Sequence, residues 1–347
     1  MDNSPKVSII IPHYNNYNII KDCLESIGNL TFENFETIVV DNASSDDSSQ
    51  LLKNNHCDIN FIQSEYNRGY AGGCNYGAEF AKGEYLLFLN NDTEHENNFI
   101  EPLVKFLDEN DNVCSVQPKI KNYYEKNKFD YAGASGGFID YLVFPFCRGR
   151  IFSSLEEDKN QYNNDIEVFW TSGTAFLTRK RIFNKLNQFD EQLFAHMEEI
   201  DYCWKGILSG YKNWVIPESV IYHKGGQTLS YDSPNKTYLN HRNSMILLLT
   251  NFNFFRSIYT FLFRVILEII SSIYDLLKLK PLHFLMHYKA LIYLLFNINY
   301  IIKRRSFNSK IRTKNDTDIL SQSFILNESI VKKYFLLNNK TYNKINS

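Results

Sequence analysis

Short uncharged hydrophobic runs alternate with helical spacing along the first part of this chain. Residues 7–11 (Val-Ser-Ile-Ile-Ile) form one run, ended at Pro12 and followed by the polar turn His13-Tyr14-Asn15-Asn16. Ile19, Ile20, Cys23, Leu24 and Ile27 then recur at three- and four-residue intervals, which predicts a helix over 18–28. A second strand is predicted over 35–40, and the loop from Asp41 to Asp46 is rich in types that cap the next helix, over 47–54. Residues 60–63 read as a short third strand, and the glycine-rich stretch 67–77 enters a helix that runs to Ala81. Residues 85–89 (Tyr-Leu-Leu-Phe-Leu) carry no charge and read as a strand buried on both faces, stopped at Asn90-Asn91-Asp92. This alternation predicts an α/β fold with a mostly parallel, doubly wound sheet. Ligands of such sheets bind at the carboxyl ends of the strands, which is where Asn90-Asn91-Asp92 would stand.

Further on, the pattern predicts helices over 97–109 and 179–186, a strand over 113–120 and short strands over 214–217 and 220–223. Met197, Ile200, Cys203, Trp204 and Ile207 place one face of another helix inward, with Glu198 and Glu199 in its first turn. Residues 121–165 resolve only into loops and short strands. From Leu247 the character changes. Residues 254–278 and 282–302 are long aromatic-rich helical patterns, broken by Arg264, Glu268, Asp275, His287 and Lys289 and followed by Lys303-Arg304-Arg305. Residues 306–347 predict a loose polar tail with one short helix near 325–337.

Charge divides the chain at the same place. Of 37 Lys/Arg and 39 Asp/Glu, 15 and 5 lie in residues 251–347, a net of +10 that leaves −12 for residues 1–250. Two parts are therefore expected: a domain over 1–250 and a basic helical region over 251–347. Helices too charged to span a bilayer, too apolar for full solvation and adjoining a basic cluster fit a membrane interface. A helical subdomain or a homodimer surface is the alternative. No uncharged run reaches the roughly 18 residues of a membrane span, and the N-terminal residues lack the pattern of a secretory signal. Six scattered cysteines without a Cys-x-x-Cys pair predict reduced thiols. A cytoplasmic protein, peripheral on the inner face of the cell membrane, is expected.

Candidate chemistry sits in the polar stops. Asn90-Asn91-Asp92 offers the oxygen donors that hold a hard divalent cation, or is a solvated turn. Glu198 and Glu199 are either working carboxylates or helix caps. Taken with Asn187-Gln188-Phe189-Asp190-Glu191, Glu198-Glu199-Ile200-Asp201 and His223-Lys224-Gly225-Gly226, these segments resemble glycosyltransferase family 2. Those are inverting nucleotide-sugar transferases of GT-A fold, and the nearest look is to their rhamnosyltransferase-like bacterial branch. The resemblance covers about residues 5–245 and is carried by the order and spacing of the motifs.

The resemblance implies a nucleotide-sugar donor, UDP- or dTDP-linked, bound by Pro12, Tyr14, Asp41, Arg68, Gly69, Asn90, Asn91 and Asp92. It implies a Mn²⁺ or Mg²⁺ ion on Asp92 and His223, and Glu199 as general base with Glu198 in reserve. Trp170, Ser172 and Asp201 would face the acceptor, a lipid-linked or growing surface glycan; Trp170 is equally suited to a core. Two departures stand out: Asn90 replaces the first Asp of the Asp-x-Asp, and Glu199 replaces an Asp. They leave room for a second reading, an inactive assembly protein that binds nucleotide sugars. His241-Arg242-Asn243 stands where processive synthases carry Gln-x-x-Arg-Trp, so transfer of one or a few sugars is expected. A nicotinamide dehydrogenase is disfavoured because the first strand lacks its glycine turn. No nucleic-acid partner is expected.

Overall fold

The structure, a computed structural model, describes residues 4–225 and 233–346. The chain opens with β1 (Val7–His13), α1 (Tyr17–Ile27), β2 (Phe35–Asp41), α2 (Ser48–Asn55), β3 (Asn60–Gln63), α3 (Gly69–Phe80) and β4 (Tyr85–Leu89). The four strands pair in parallel in the order β3-β2-β1-β4. Alternate residues serve opposite faces. Ile9, Ile11, Val39, Leu87 and Leu89 pack into one core with α1, while Ile10, Ile38, Val40, Leu86 and Phe88 pack into another. Both faces are covered, which is why these strands read as continuous apolar runs.

The chain continues through β5 (Thr93–His95), α4 (Ile100–Glu109), β6 (Val113–Asn122), four short strands β7 (Gly137–Asp140), β8 (Pro145–Cys147), β9 (Arg150–Ile151) and β10 (Ser154–Leu155), then β11 (Ile166–Val168), β12 (Ala175–Arg179), α5 (Lys180–Lys185), α6 (Glu198–Leu208) and β13 (Lys212–His223). β12 joins β4 antiparallel, and the sheet extends through β6, β13 and β11. The two short strands predicted over 214–223 are one strand. A register shift between Ile216 and Val220 lies opposite Pro118 and Lys119 of β6, where the proline has no N–H to give the ladder.

After residue 233 come α7 (Pro234–Asn251), α8 (Phe254–Leu277), α9 (Pro281–Phe296), α10 (Ile298–Ile311), α11 (Asp316–Leu320), β14 (Ile325–Leu326) and α12 (Tyr342–Asn346). The pattern over 282–302 is two helices meeting at a 72° bend. The side chain of Asn297 at the break caps the carbonyl of Tyr293. The predicted loose tail is docked. β14 adds to β7 in the small sheet β10-β9-β8-β7-β14, Ile330 N donates to Asp140 Oδ2 at 3.0 Å, and Tyr334 meets Ser154 at 2.9 Å. Its anchors are isolated apolar residues whose partners lie far away in sequence, so no period announces them. Trp204 and Phe169 share one core with Phe252, Leu294, Ile301, Ile319 and Ile345, so packing runs through residue 250 without a break.

Candidate active site

The carboxyl ends of β1, β2, β4 and β13 converge, and pairing alone brings two predicted metal ligands together. His223, the last residue of β13, pairs with Thr93 of β5, one residue past Asp92. Lys224 N donates to Asp92 O at 2.9 Å and closes the junction. His223 Nε2 lies 3.2 Å from Asp92 Oδ1, and His223 Nδ1 lies 2.8 Å from Asp130 Oδ1. Asp92 Oδ1 is buried, and its contact with His223 Nε2 lacks hydrogen-bond geometry. A carboxylate behind one ring nitrogen fixes the tautomer and aims the other nitrogen, the arrangement of metal-bound histidines. Octahedral ligands at about 2.1 Å from a cation stand about 3 Å apart, so the Asp92–His223 spacing fits a shared ion. Burial alone would lower the His223 pKa, but Asp92 and Asp130 raise it well above its usual value. Burial likewise opposes ionisation of Asp92, yet His223 holds its carboxyl below the usual range.

The residues expected to bind the donor line the rest of the edge. Pro12, near the end of β1, and Tyr14, just past it, are half-buried. Asp41 is fully buried, with Oδ1 accepting from Ser44 N and Oδ2 from Ser49 Oγ. These bonds shape the loop before α2 and leave lone pairs on both oxygens. The Arg68 guanidinium lies 4.7 Å from the Tyr66 ring and 4.5 Å from the Tyr76 ring, with Nε on Ser64 Oγ at 2.9 Å. That clamp presents a planar fork suited to a base or a diphosphate. Gly69 has φ 69°, and a Cβ there would lie 2.4 Å from Phe194 O. Asn90 is half-buried, its N–H on Thr174 O at 2.9 Å.

Glu198 and Glu199 open α6, with one buried oxygen on each left without a partner. Burial raises both pKa values, and for Glu198 the charge of Glu199 adds to it. A carboxylate with one oxygen out of water and unsatisfied is suited to accept a proton.

Four sequence expectations are corrected. Asn91 turns its amide inward to His13 Nδ1 at 2.8 Å, because a bend after a buried strand alternates outward and inward side chains. Trp170 is core: its ring covers Gly137 and its Nε1 donates to Phe138 O at 3.0 Å. Ser172 is buried and donates to Ala132 O at 2.7 Å, bracing the loop behind Asp130. Asp201 is fully buried between Arg304, Lys205 and Asn251, an anchor for the C-terminal helices and not an acceptor contact. Gly226 of the His-Lys-Gly-Gly run lies outside the described residues. Asp130 was not among the expected residues; a lone Asp in an unpatterned loop carries no signal. A second cluster, His241, Glu268 and His287, joins α7, α8 and α9. Arg264 pairs with the same carboxylate at 2.8 Å and both ring nitrogens of His287 face carboxylates, so it is a hydrogen-bonded seam and not a cation site.

The fold and this edge define a nucleotide-diphospho-sugar transferase architecture of the GT-A type. The family model for glycosyl transferase family 2 matches residues 8–186, and the chain belongs to that family. It is 27% identical over 210 residues to the glycosyltransferase GlyG of Streptococcus pneumoniae serotype 4, covering 56% of this chain and 64% of that one. It is 32% identical over 196 residues to the GalNAc(5)-diNAcBac-PP-undecaprenol beta-1,3-glucosyltransferase of Campylobacter jejuni, covering 55% of this chain and 57% of that one. The chain thus spans less than two thirds of the length of each. Among solved structures, GalNAc-T7 with UDP, GalNAc and Mn²⁺ superposes with a TM-score of 0.55 at 17% identity, covering 72% of this chain and 48% of that one.

Proposed function

We propose that this protein is an inverting, cation-dependent glycosyltransferase. It moves a hexose from a UDP- or dTDP-linked donor to a lipid-linked or growing surface glycan at the inner face of the cell membrane. The observation that carries this reading is the Asp130–His223–Asp92 arrangement on the sheet edge beside Asn90, together with the unsatisfied Glu199 Oε2 on α6. Residues 1–250 would do the chemistry and 251–347 would hold the protein at the membrane. The lipid carrier in the name of the Campylobacter relative supports a lipid-linked acceptor here.

Arg68 and Tyr14 hold the nucleotide at the ends of β1 to β3. Asp92 and His223 would hold a Mn²⁺ or Mg²⁺ ion, whose charge would stabilise the departing nucleoside diphosphate. Asp130 keeps His223 Nδ1 occupied and leaves Nε2 turned toward Asp92, the nitrogen that would take the ion. Glu199 takes the proton of the acceptor hydroxyl as that oxygen attacks the anomeric carbon opposite the diphosphate. The new C–O bond forms while the bond to the phosphate oxygen breaks with its electron pair, and one displacement inverts the anomeric centre.

Support for the membrane comes from α8, whose polarity is inside out. It buries Ser257, Thr260, Arg264, Glu268 and Ser272 and exposes Phe255 (87%), Ile266, Ile270, Ile273 and Leu277 (77%). A helix in water places these types the other way round; charged residues facing inward and apolar ones outward suit lipid. Among the described residues no single helix is long and apolar enough to cross a membrane; α9 and α10 pass that test only as a bent pair.

The test is nucleotide release by the purified full chain from a panel of UDP-, dTDP- and GDP-sugars, with Mn²⁺, Mg²⁺ or EDTA. Release from one donor, abolished by EDTA and giving product of opposite anomeric configuration, is expected. A folded protein that releases nothing from any donor overturns the reading.

A further inference from the structure

We propose that Asn243 and Arg242 are positioning residues that hold Glu199 in place by clamping the turn in front of it. The proposal rests on the reading of Glu199 as the base. Between the 3₁₀ turn Glu191–Leu193 and α6 the backbone is unusually bent: Phe194, His196 and Met197 have φ of 67°, 66° and 75°. Phe194, with ψ −61°, is the centre of a three-residue turn closed by Ala195 N on Leu193 O at 2.8 Å. Such turns are rare and strained, and persist only where surrounding groups over-determine them.

Two neighbouring residues of α7 supply that determination. Asn243 Nδ2 faces three carbonyls of the turn, Leu193 O at 3.0 Å, Ala195 O at 3.0 Å and His196 O at 2.6 Å. Arg242 donates to Gln192 O at 2.9 Å and Leu193 O at 3.0 Å, and its Nε fixes Asn243 Oδ1 at 2.8 Å. Arg242 stands between the rings of Tyr238 and Tyr293, and both clamp residues are buried. The far side of the turn is held too: Ala71 N of α3 donates to Phe194 O at 3.1 Å. The turn thus lies between the donor-side Gly69 and α7. The residue before α6 is left-handed, so the direction in which Glu198 and Glu199 leave the turn is set by these bonds and not by the helix itself.

The experiment compares the full-length protein with Asn243→Leu, which removes the donors at similar volume, and Asn243→Asp, which keeps the Arg242 bond but turns donors into acceptors. Arg242→Lys, which keeps charge without the fork, is the milder variant. Amide exchange at residues 190–201 should rise by about tenfold or more in both Asn243 variants, with the strands unchanged. UDP binding in Mn²⁺ should stay within about threefold, while kcat falls by about 100-fold with little change in donor KM. The acid limb of the pH profile should move down toward an ordinary glutamate as Glu199 is released from burial. Arg242→Lys should lie between wild type and the Asn243 variants on each readout. Folded Asn243 variants with unchanged exchange at 190–201 overturn the clamp, as does a parallel loss of UDP binding. Glu199→Gln that keeps full kcat overturns the base assignment instead, and leaves the exchange result standing.

Discussion

At the residue scale, Glu199 combines a role and a cost. In the proposed role as base, a carboxyl whose Oε2 is buried and unsatisfied serves better than a solvated one, because burial raises its pKa. As base it acts ionised, so kcat/KM should rise with pH through a midpoint well above the roughly 4.3 of a free glutamate; a pH–rate profile flat down to that value would refute it. The stability consequence has the opposite sign. Between the unfolded and the raised folded pKa the native state binds more protons, so stability falls as pH rises through that window. Glu199→Gln should therefore abolish transfer yet raise the unfolding midpoint at neutral pH by about 2–4 °C, measured by calorimetry. His223 makes a second case. Its aim depends on Asp130, so Asp130→Asn should weaken Mn²⁺ binding by about 10–100-fold with the fold intact, read by titration calorimetry. A variant that binds Mn²⁺ as wild type would remove Asp130 from the site.

At the element scale, the strands of the nucleotide half were legible because a strand covered on both faces has to be apolar along its length. Ile9, Ile10, Leu87 and Phe88 carry that signal without reference to their partners. The small strands β7 to β10 were not legible. Gly136 and Gly137 are shaped by Val168, Val215 and Trp170 pressing against them, contacts that no local period encodes. The start of α3 shows how one element fixes another: with Phe194 O in the way, Gly69→Ala should destabilise the protein by about 2 kcal/mol or more and lower kcat. Chemical unfolding together with donor turnover would check it. For α8 the inverted face makes a different prediction. Ile266→Gln with Ile270→Gln should leave thermal stability nearly unchanged and weaken co-sedimentation with anionic vesicles by on the order of tenfold or more. Unchanged co-sedimentation would sink the membrane reading, and a shift from dimer to monomer would point to a second copy on this face.

At the scale of the whole molecule, the C-terminal helices are more than an attachment. Arg304 of α10 reaches both Asp190 and Asp201, on either side of the Glu198–Glu199 pair. Arg242 and Asn243 grip the same segment from α7. The core residues Leu294, Ile301 and Ile345 lie beyond residue 250. Truncation after Thr250 should thus cost the cooperative unfolding transition and all transfer, not membrane binding alone. A truncate that still unfolds cooperatively and turns over donor would separate the two parts.

Sequence alone determined the parallel four-stranded half and the helix that carries Glu198 and Glu199, and it singled out Asp92 and His223, which the fold brings together, because each is written in local periodicity or in motif order. Tertiary structure alone decided which polar residues of those motifs stay uncommitted at the sheet edge. Asn91, Ser172 and Asp201 have the chemistry of site residues and are spent on internal hydrogen bonds, while Asp130 braces His223 and Asn243 braces the turn before α6. Burial and hydrogen-bond partners settle that choice, and both are properties of neighbours distant in the chain.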